Sequence, residues 1–209
     1  MSRIPLQAQV IAGYGFKAGV NSSTADIEYL AIFEQMQFEG GRRTGFHAAF
    51  FIESFKHQAF SLLAQMEYAQ RGFVEGQALT GPDGPEPLGT ILTTSRLDYI
   101  SVPLLIKLQS RNTSINPFIT FGPRLDFLIN REPGKIFSDE GNYVPTPFAD
   151  FFKDRAWGGA VSLGLATNKI VALPLLFEVR YNFDFTDNIA AEIYDAKKSA
   201  LDIWLGMAF

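Results

Sequence analysis

His47 and His57 are the only histidines in the chain, and it has no cysteine. A hydrolase or acyltransferase needs a nucleophile or an activated water with a base beside it, most often an imidazole. His57 falls in a short connection, away from the end that carries the long ones. His47 lies on the polar face of an alternating segment, and neither histidine belongs to a convincing Ser–His–Asp arrangement. A hydrogen-bonded structural role is the better reading of His47, so the chain is read as non-enzymatic, with no catalytic residues. Without cysteine there are no disulfides and no thiolate metal sites. Asp83, Asp139 and Glu140 follow no calcium-ligand spacing and are read as solvated loop charge. No metal and no cofactor is expected.

A second set of charged residues shares one parity within alternating segments. It comprises Lys17, Glu53, Glu67, Lys107, Arg124, Asp126, Glu178, Arg180, Asp184 and Asp202. Both signs are present and most segments contribute. Between 177 and 185 the pattern is plainest: Phe177, Val179, Tyr181, Phe183 and Phe185 alternate with Glu178, Arg180, Asn182 and Asp184. Such a period-two pattern belongs to β-strands with two unlike faces.

The segments that must position these charges number eight, at about 11–21, 44–53, 60–72, 97–109, 117–130, 156–167, 173–185 and 200–209. Each reaches the roughly nine to eleven residues that a tilted strand needs to cross a bilayer. The connections alternate: long after the first, third, fifth and seventh segments, short after the others. An up-and-down barrel gathers those two sets at opposite ends, and outer-membrane barrels have long external loops and short periplasmic turns. The apolar face carries bulky residues, such as Phe60, Leu62, Met66 and Tyr68. The charged face carries small ones, among them Gly15, Gly19, Ala49, Gly122, Gly158, Ala160, Gly164 and Gly206. An eight-stranded barrel has an interior just wide enough for side chains to fill. The small, charged face therefore belongs inside and the bulky one against lipid.

The fold class that follows is all-β: an eight-stranded antiparallel up-and-down transmembrane barrel over 11–209. Residues 1–10 are read as the remnant of a trimmed signal peptide or a periplasmic stub. A charged lumen must pair its ions, and a network centred on Arg124 and Arg180 is expected to plug it. Tyr14, Phe46, Tyr68, Phe118, Phe127, Trp157, Phe177 and Phe185 are expected in interfacial girdles. Pro103, Pro123 and Pro174 each remove a ladder donor, so bulges or strand ends are expected there. The last strand ends on alternating apolar residues. Trp204 and Phe209 are read as part of its C-terminal signal for the barrel insertion machinery.

Composition agrees with this. Apolar residues make up 47% and charged residues 19%, and no apolar run is long enough for a spanning helix. A formal charge of −4 gives no electrostatic reason for nucleic-acid binding. The long loops are unusually apolar. Tyr29, Phe33, Phe38, Tyr143, Phe148 and Tyr194 are candidate contacts for protein partners or glycans.

Several motifs together resemble the PorT-like outer-membrane β-barrels of Bacteroidota-type bacteria. They are Gly-Phe-Lys-Ala-Gly-Val-Asn from Gly15 to Asn21, and Gly-Phe-His-Ala from Gly45 to Ala48. Leu-Asp-Tyr-Ile-Ser-Val-Pro-Leu-Leu-Ile-Lys from Leu97 to Lys107 is the most recognisable. Pro117-Phe118 with Gly122-Pro123, and Glu-Val-Arg-Tyr-Asn from Glu178 to Asn182, complete the set. The resemblance implies an eight-stranded barrel in a Gram-negative outer membrane, surrounded by its lipid. It implies little about activity, although its founding member is linked to a secretion system. The leading expectation is an envelope scaffold or accessory subunit of a larger outer-membrane complex. A narrow transport or ligand-binding barrel for small solutes is the alternative. A membrane-embedded hydrolase or acyltransferase ranks behind both, and a soluble lipocalin-like carrier last.

Overall fold

In a computed structural model of the chain, the residues described are 11–29, 41–55, 57, 59–81, 84–110, 115–137, 143–145, 147–167, 174–189 and 194–209. The strands are β1 (Ile11–Tyr29), β2 (Gly41–Ser54), β3 (Phe60–Gly81), β4 (Gly84–Gln109), β5 (Ile115–Glu132), β6 (Lys135–Phe137), β7 (Tyr143–Pro145), β8 (Arg155–Thr167), β9 (Leu175–Asp184) and β10 (Tyr194–Ala208). A short 3-10 turn spans Pro147–Phe151. Eight strands close into a barrel in the order β1-β10-β9-β8-β5-β4-β3-β2, and β6 pairs only with β7. Every barrel pair is antiparallel. Closure joins the two ends of the chain's ordered sheet: Tyr14 and Phe209 exchange backbone hydrogen bonds of 3.1 and 2.7 Å.

The alternating pattern sorts the side chains inside out relative to a soluble protein. Leu205 is 66% exposed, Leu163 64% and Met66 62%, whereas Arg180 and Glu67 are fully enclosed. Water would penalise such an apolar wall, and lipid does not. The wall forms a band that runs, strand by strand, through 14–20, 46–52, 60–68, 100–108, 119–127, 157–165, 177–185 and 201–207. Above this band the strands continue. β3 and β4, with 22 and 26 residues, are at least twice as long as a span requires. The sequence placed their inner ends correctly and stopped too early, because beyond residue 72 the alternation loses its apolar face.

Bulges fall at Ile11/Gly13 and Arg42/His47, at the far end of the β3–β4 hairpin, and at Asp98/Tyr99. They do not fall at Pro103 or Pro123, contrary to expectation. β4 and β5 keep their register across both, and the two prolines remain within continuous strands. Pro174 lies immediately before β9, where its carbonyl accepts a 3.0 Å bond from the Ala208 N–H. Phe118 also departs from its expected place. It is buried in the lumen beside Lys107 and not in a girdle, because it shares the parity of Arg124 and Asp126.

At the extracellular end an apolar cluster caps the lumen. Ala25, Phe73, Leu97, Tyr99, Ala149, Phe152, Ile189 and Ala196 pack together, with the Phe73 and Phe152 rings 5.4 Å apart. The segment after the 3-10 turn is pinned across the mouth. Phe152 bridges to Ile189, Arg131 donates to the Phe152 carbonyl at 2.8 Å, and the Lys153 N–H donates to Asn188. Phe51, Leu63, Leu105 and Ala160 form a second apolar group inside. The charged residues occupy the space between and around these layers.

Candidate functional site: the lumenal charge network

All ten charges singled out from the sequence project into the lumen. Nine are buried and Lys107 is nearly so, its side chain 12% exposed. The strands bring them into two linked groups. In the first, the Arg180 guanidinium donates to Glu178 at 2.7 and 2.9 Å, to Gln65 at 3.0 Å, and to Glu67. Lys17 donates to the other Glu178 oxygen at 2.8 Å. In the second, Arg124 meets Asp184 at 2.5 Å and Asp126 at 3.0 Å, while Arg71 donates to Asp126 at 2.7 Å. Lys198 completes this group, donating to the Tyr99 hydroxyl at 2.7 Å and lying 3.6 Å from Asp184. Near the periplasmic end Glu53 accepts from Lys107 at 3.3 Å and from Ser61 at 2.7 Å.

Small residues make room for this. A Cβ on Gly158 would lie 3.0 Å from both the Arg124 guanidinium and the Asp184 carboxylate. One on Gly19 would lie 2.5 Å from the His47 ring, and one on Gly164 only 2.1 Å from the Phe118 ring.

His47 sits between the two groups with no exposed surface. Its ring stacks on Trp204 at 3.6 Å and 8°, and its Nε2 donates to the Ile203 carbonyl at 3.2 Å. Asp202 lies 3.7 Å from Nδ1 and accepts from Asn182 at 2.6 Å. The Trp204 ring carries Lys17 on one side at 4.5 Å and Arg180 at 5.3 Å, cation–π contacts in a dry setting. Trp204 therefore points inward, away from the apolar face that ends at Phe209. Residue type alone groups it with Phe209 as a terminal signal. The parity of Leu201, Ile203 and Leu205 would have separated them.

Arg71, Lys198, Tyr99 and Gln65 are the members that the sequence reading left out. Arg71 and Gln65 had the right parity within an expected strand. Lys198 lay outside because β10 begins six residues earlier than expected, at Tyr194 rather than Ala200. With Arg71 and Lys198 included, the body of the lumen holds, among the described residues, six cations (Lys17, Arg71, Lys107, Arg124, Arg180, Lys198) and six carboxylates (Glu53, Glu67, Asp126, Glu178, Asp184, Asp202). They balance. Toward the periplasmic end a cavity of about 50 Å³ lies beside them, lined by Lys17, Glu53 and Phe118 among others. That volume holds a water or two and no sugar-sized solute. Among the described residues no group of acidic or imidazole side chains is arranged to hold a metal ion.

Of the loop residues expected to meet partners, Phe33 and Phe38 lie outside the described residues. So do the side chains of Tyr29, Tyr143, Phe148 and Tyr194. His57 is exposed in the β2–β3 turn, as its position suggested.

The family model described as "Outer membrane protein beta-barrel domain" matches residues 7–190. No curated protein matches the chain. Among solved structures it is similar to OprG from Pseudomonas aeruginosa, with 11% identity over 97% of this chain and 98% of that one and a TM-score of 0.47. It is similar to Neisserial surface protein A, with 13% identity over 94% and 97% and a TM-score of 0.47. It is also similar to Ail, the attachment invasion locus protein of Yersinia pestis, with 14% identity over 94% and 99% and a TM-score of 0.43. The closed eight-stranded sheet, its lipid-ready wall and the family match agree: the chain belongs to the outer membrane protein β-barrel domain family and resides in the outer membrane.

Proposed function

We propose that this barrel is a non-enzymatic, non-conducting scaffold or accessory subunit of a larger outer-membrane complex. One observation carries the reading: the lumen is filled by matched ions and capped by aromatic side chains. Eleven of the twelve charges are held by one another and Asp202 by Asn182, so they are poor candidates for binding a changing cargo, because each lost partner leaves a buried ion uncompensated. Work at the extracellular surface is then left to the strands and loops that rise above the membrane. Connecting loops on a rigid scaffold are where binding residues concentrate. The barrel insertion machinery acts on the chain during assembly, through the strand that ends at Phe209. The narrower affiliation with PorT-like barrels rests on the motifs around Gly15–Asn21 and Leu97–Lys107, and a link to secretion rests on that affiliation alone.

The test is extraction of the native protein in mild detergent through a tag in the β2–β3 turn. A stoichiometric protein partner that is lost when 30–40 is shortened is the expected result. A lone monodisperse barrel overturns the accessory-subunit reading.

A further inference from the structure

On the outer wall above the apolar band, three strands place cations around one cleft of about 430 Å³. Its lining is Arg43 from β2, Thr94 and Arg96 from β4, and Glu132, Pro133 and Lys135 at the β5–β6 turn. Arg96 has the outward parity of Ile100, two positions farther up the wall, and Glu132, its partner beyond the Asp98/Tyr99 bulge, faces the same way. At about 6.6 Å per outward position, Arg96 lies roughly 13 Å along the strand from Ile100, at headgroup height.

The cleft is built and not incidental. Arg43 reaches it across β3 at Gly72, where a Cβ would meet the Arg43 Cδ at 2.8 Å. The guanidinium of Arg43 donates to the Arg71 carbonyl at 3.3 Å. Arg96 is locked from below by Asp98, which takes its Nε at 2.8 Å and Nη2 at 2.7 Å. The turn that carries Lys135 is fixed by the Gly134 N–H, which donates to Ser95 at 3.1 Å. Arg43 and Lys135 make no ion pair among the described residues, and Glu132, more than half exposed, touches Arg96 only at 3.4 Å. Cations are thus held facing one another above an apolar wall, with one weakly engaged carboxylate between them.

We propose that this cleft binds the phosphorylated headgroup of an outer-leaflet glycolipid, whose acyl chains lie on the wall below. A phosphate offers acceptor oxygens to two guanidiniums and an ammonium at once, and arginine suits it best. The wall beneath supplies what a free anion would not use: Leu104 is 56% exposed and Ile106 38%. Arg155, exposed on β8 and lying over Phe127 at 6.0 Å, extends the positive edge.

The experiment uses the full chain in phosphatidylcholine nanodiscs doped with phosphorylated lipid A or with the same lipid stripped of its phosphates. Lipid retained through purification is read by native mass spectrometry. Retention of the phosphorylated form, and not of the stripped one, is expected. The double variant Arg43→Gln/Lys135→Gln should lower it about 30-fold, from roughly a tenfold or lesser loss per cation near the surface. Glu132→Gln, which removes the competing carboxylate, should raise it several-fold and gives an independent reading if the double variant fails to fold. Excess inorganic phosphate should leave the lipid bound. Equal retention of both lipids, no change in either variant, or displacement by inorganic phosphate each overturns the proposal.

Discussion

Arg180 donates to Glu67, Gln65 and Glu178 while Glu178 also holds Lys17, so removing one cation strips several acceptors together. Arg180→Leu should destabilise the barrel by about 3–5 kcal/mol, the usual cost of orphaning a buried ion. Urea unfolding in lipid bilayers checks this, and an unchanged midpoint would show that the network holds nothing together. At the rim, burial pushes the Asp98 carboxyl up. Arg96 and the Asn130 amide outweigh that and hold it below the ordinary carboxylate value. A carboxyl held low contributes stability that is complete above its unfolded pKa and fades as pH falls through its folded one. Asp98→Asn should therefore flatten the acid arm of the stability profile while changing little of its alkaline side. These residues differ in how legible they were. Arg71 and Trp204 share the parity of the conspicuous charges on their strands and are legible from it. The Arg96–Asp98 pair faces outward above the band, where no period-two rule marks a polar cluster.

Strands tell a similar story one level up. Their inner ends were legible because the apolar face stops abruptly at short turns, and the alternation of connection lengths gave the topology. Their outer ends were not. β3 and β4 continue past the membrane as a polar hairpin and β1 continues beside β10, each sustained by backbone pairing without a lipid-facing pattern. Aromatic type points Phe118 to a girdle, and register overrides it. Register also decides which small residues are indispensable. A side chain on Gly164 would collide with Phe118 at 2.1 Å, and one on Gly19 with the Ile203 carbonyl at 1.8 Å. Gly164→Val and Gly19→Val should block folding into the heat-modifiable barrel form, whereas Ala64→Val on the lipid face should fold normally. A gel-shift assay separates these outcomes. Equal folding of all three would mean that the lumen repacks freely, contrary to the close packing described.

Among the described residues the lumenal cations and carboxylates balance in number, whereas the chain as a whole carries a formal charge of −4. The inside is blocked twice, by the Phe73–Phe152 cap and by the Arg180 layer beneath it. Phe73→Ala/Phe152→Ala should therefore open the mouth without opening a channel, and a dye placed outside liposomes should stay outside. Single-channel recording in planar bilayers tests most directly whether the lumen is a structural plug. The wild-type barrel should show no discrete conductance steps at neutral pH across a range of salt concentrations. Reproducible steps in the wild type, abolished by Arg180→Leu or reversed in ion preference by it, would contradict the account and make the charge network a conducting path.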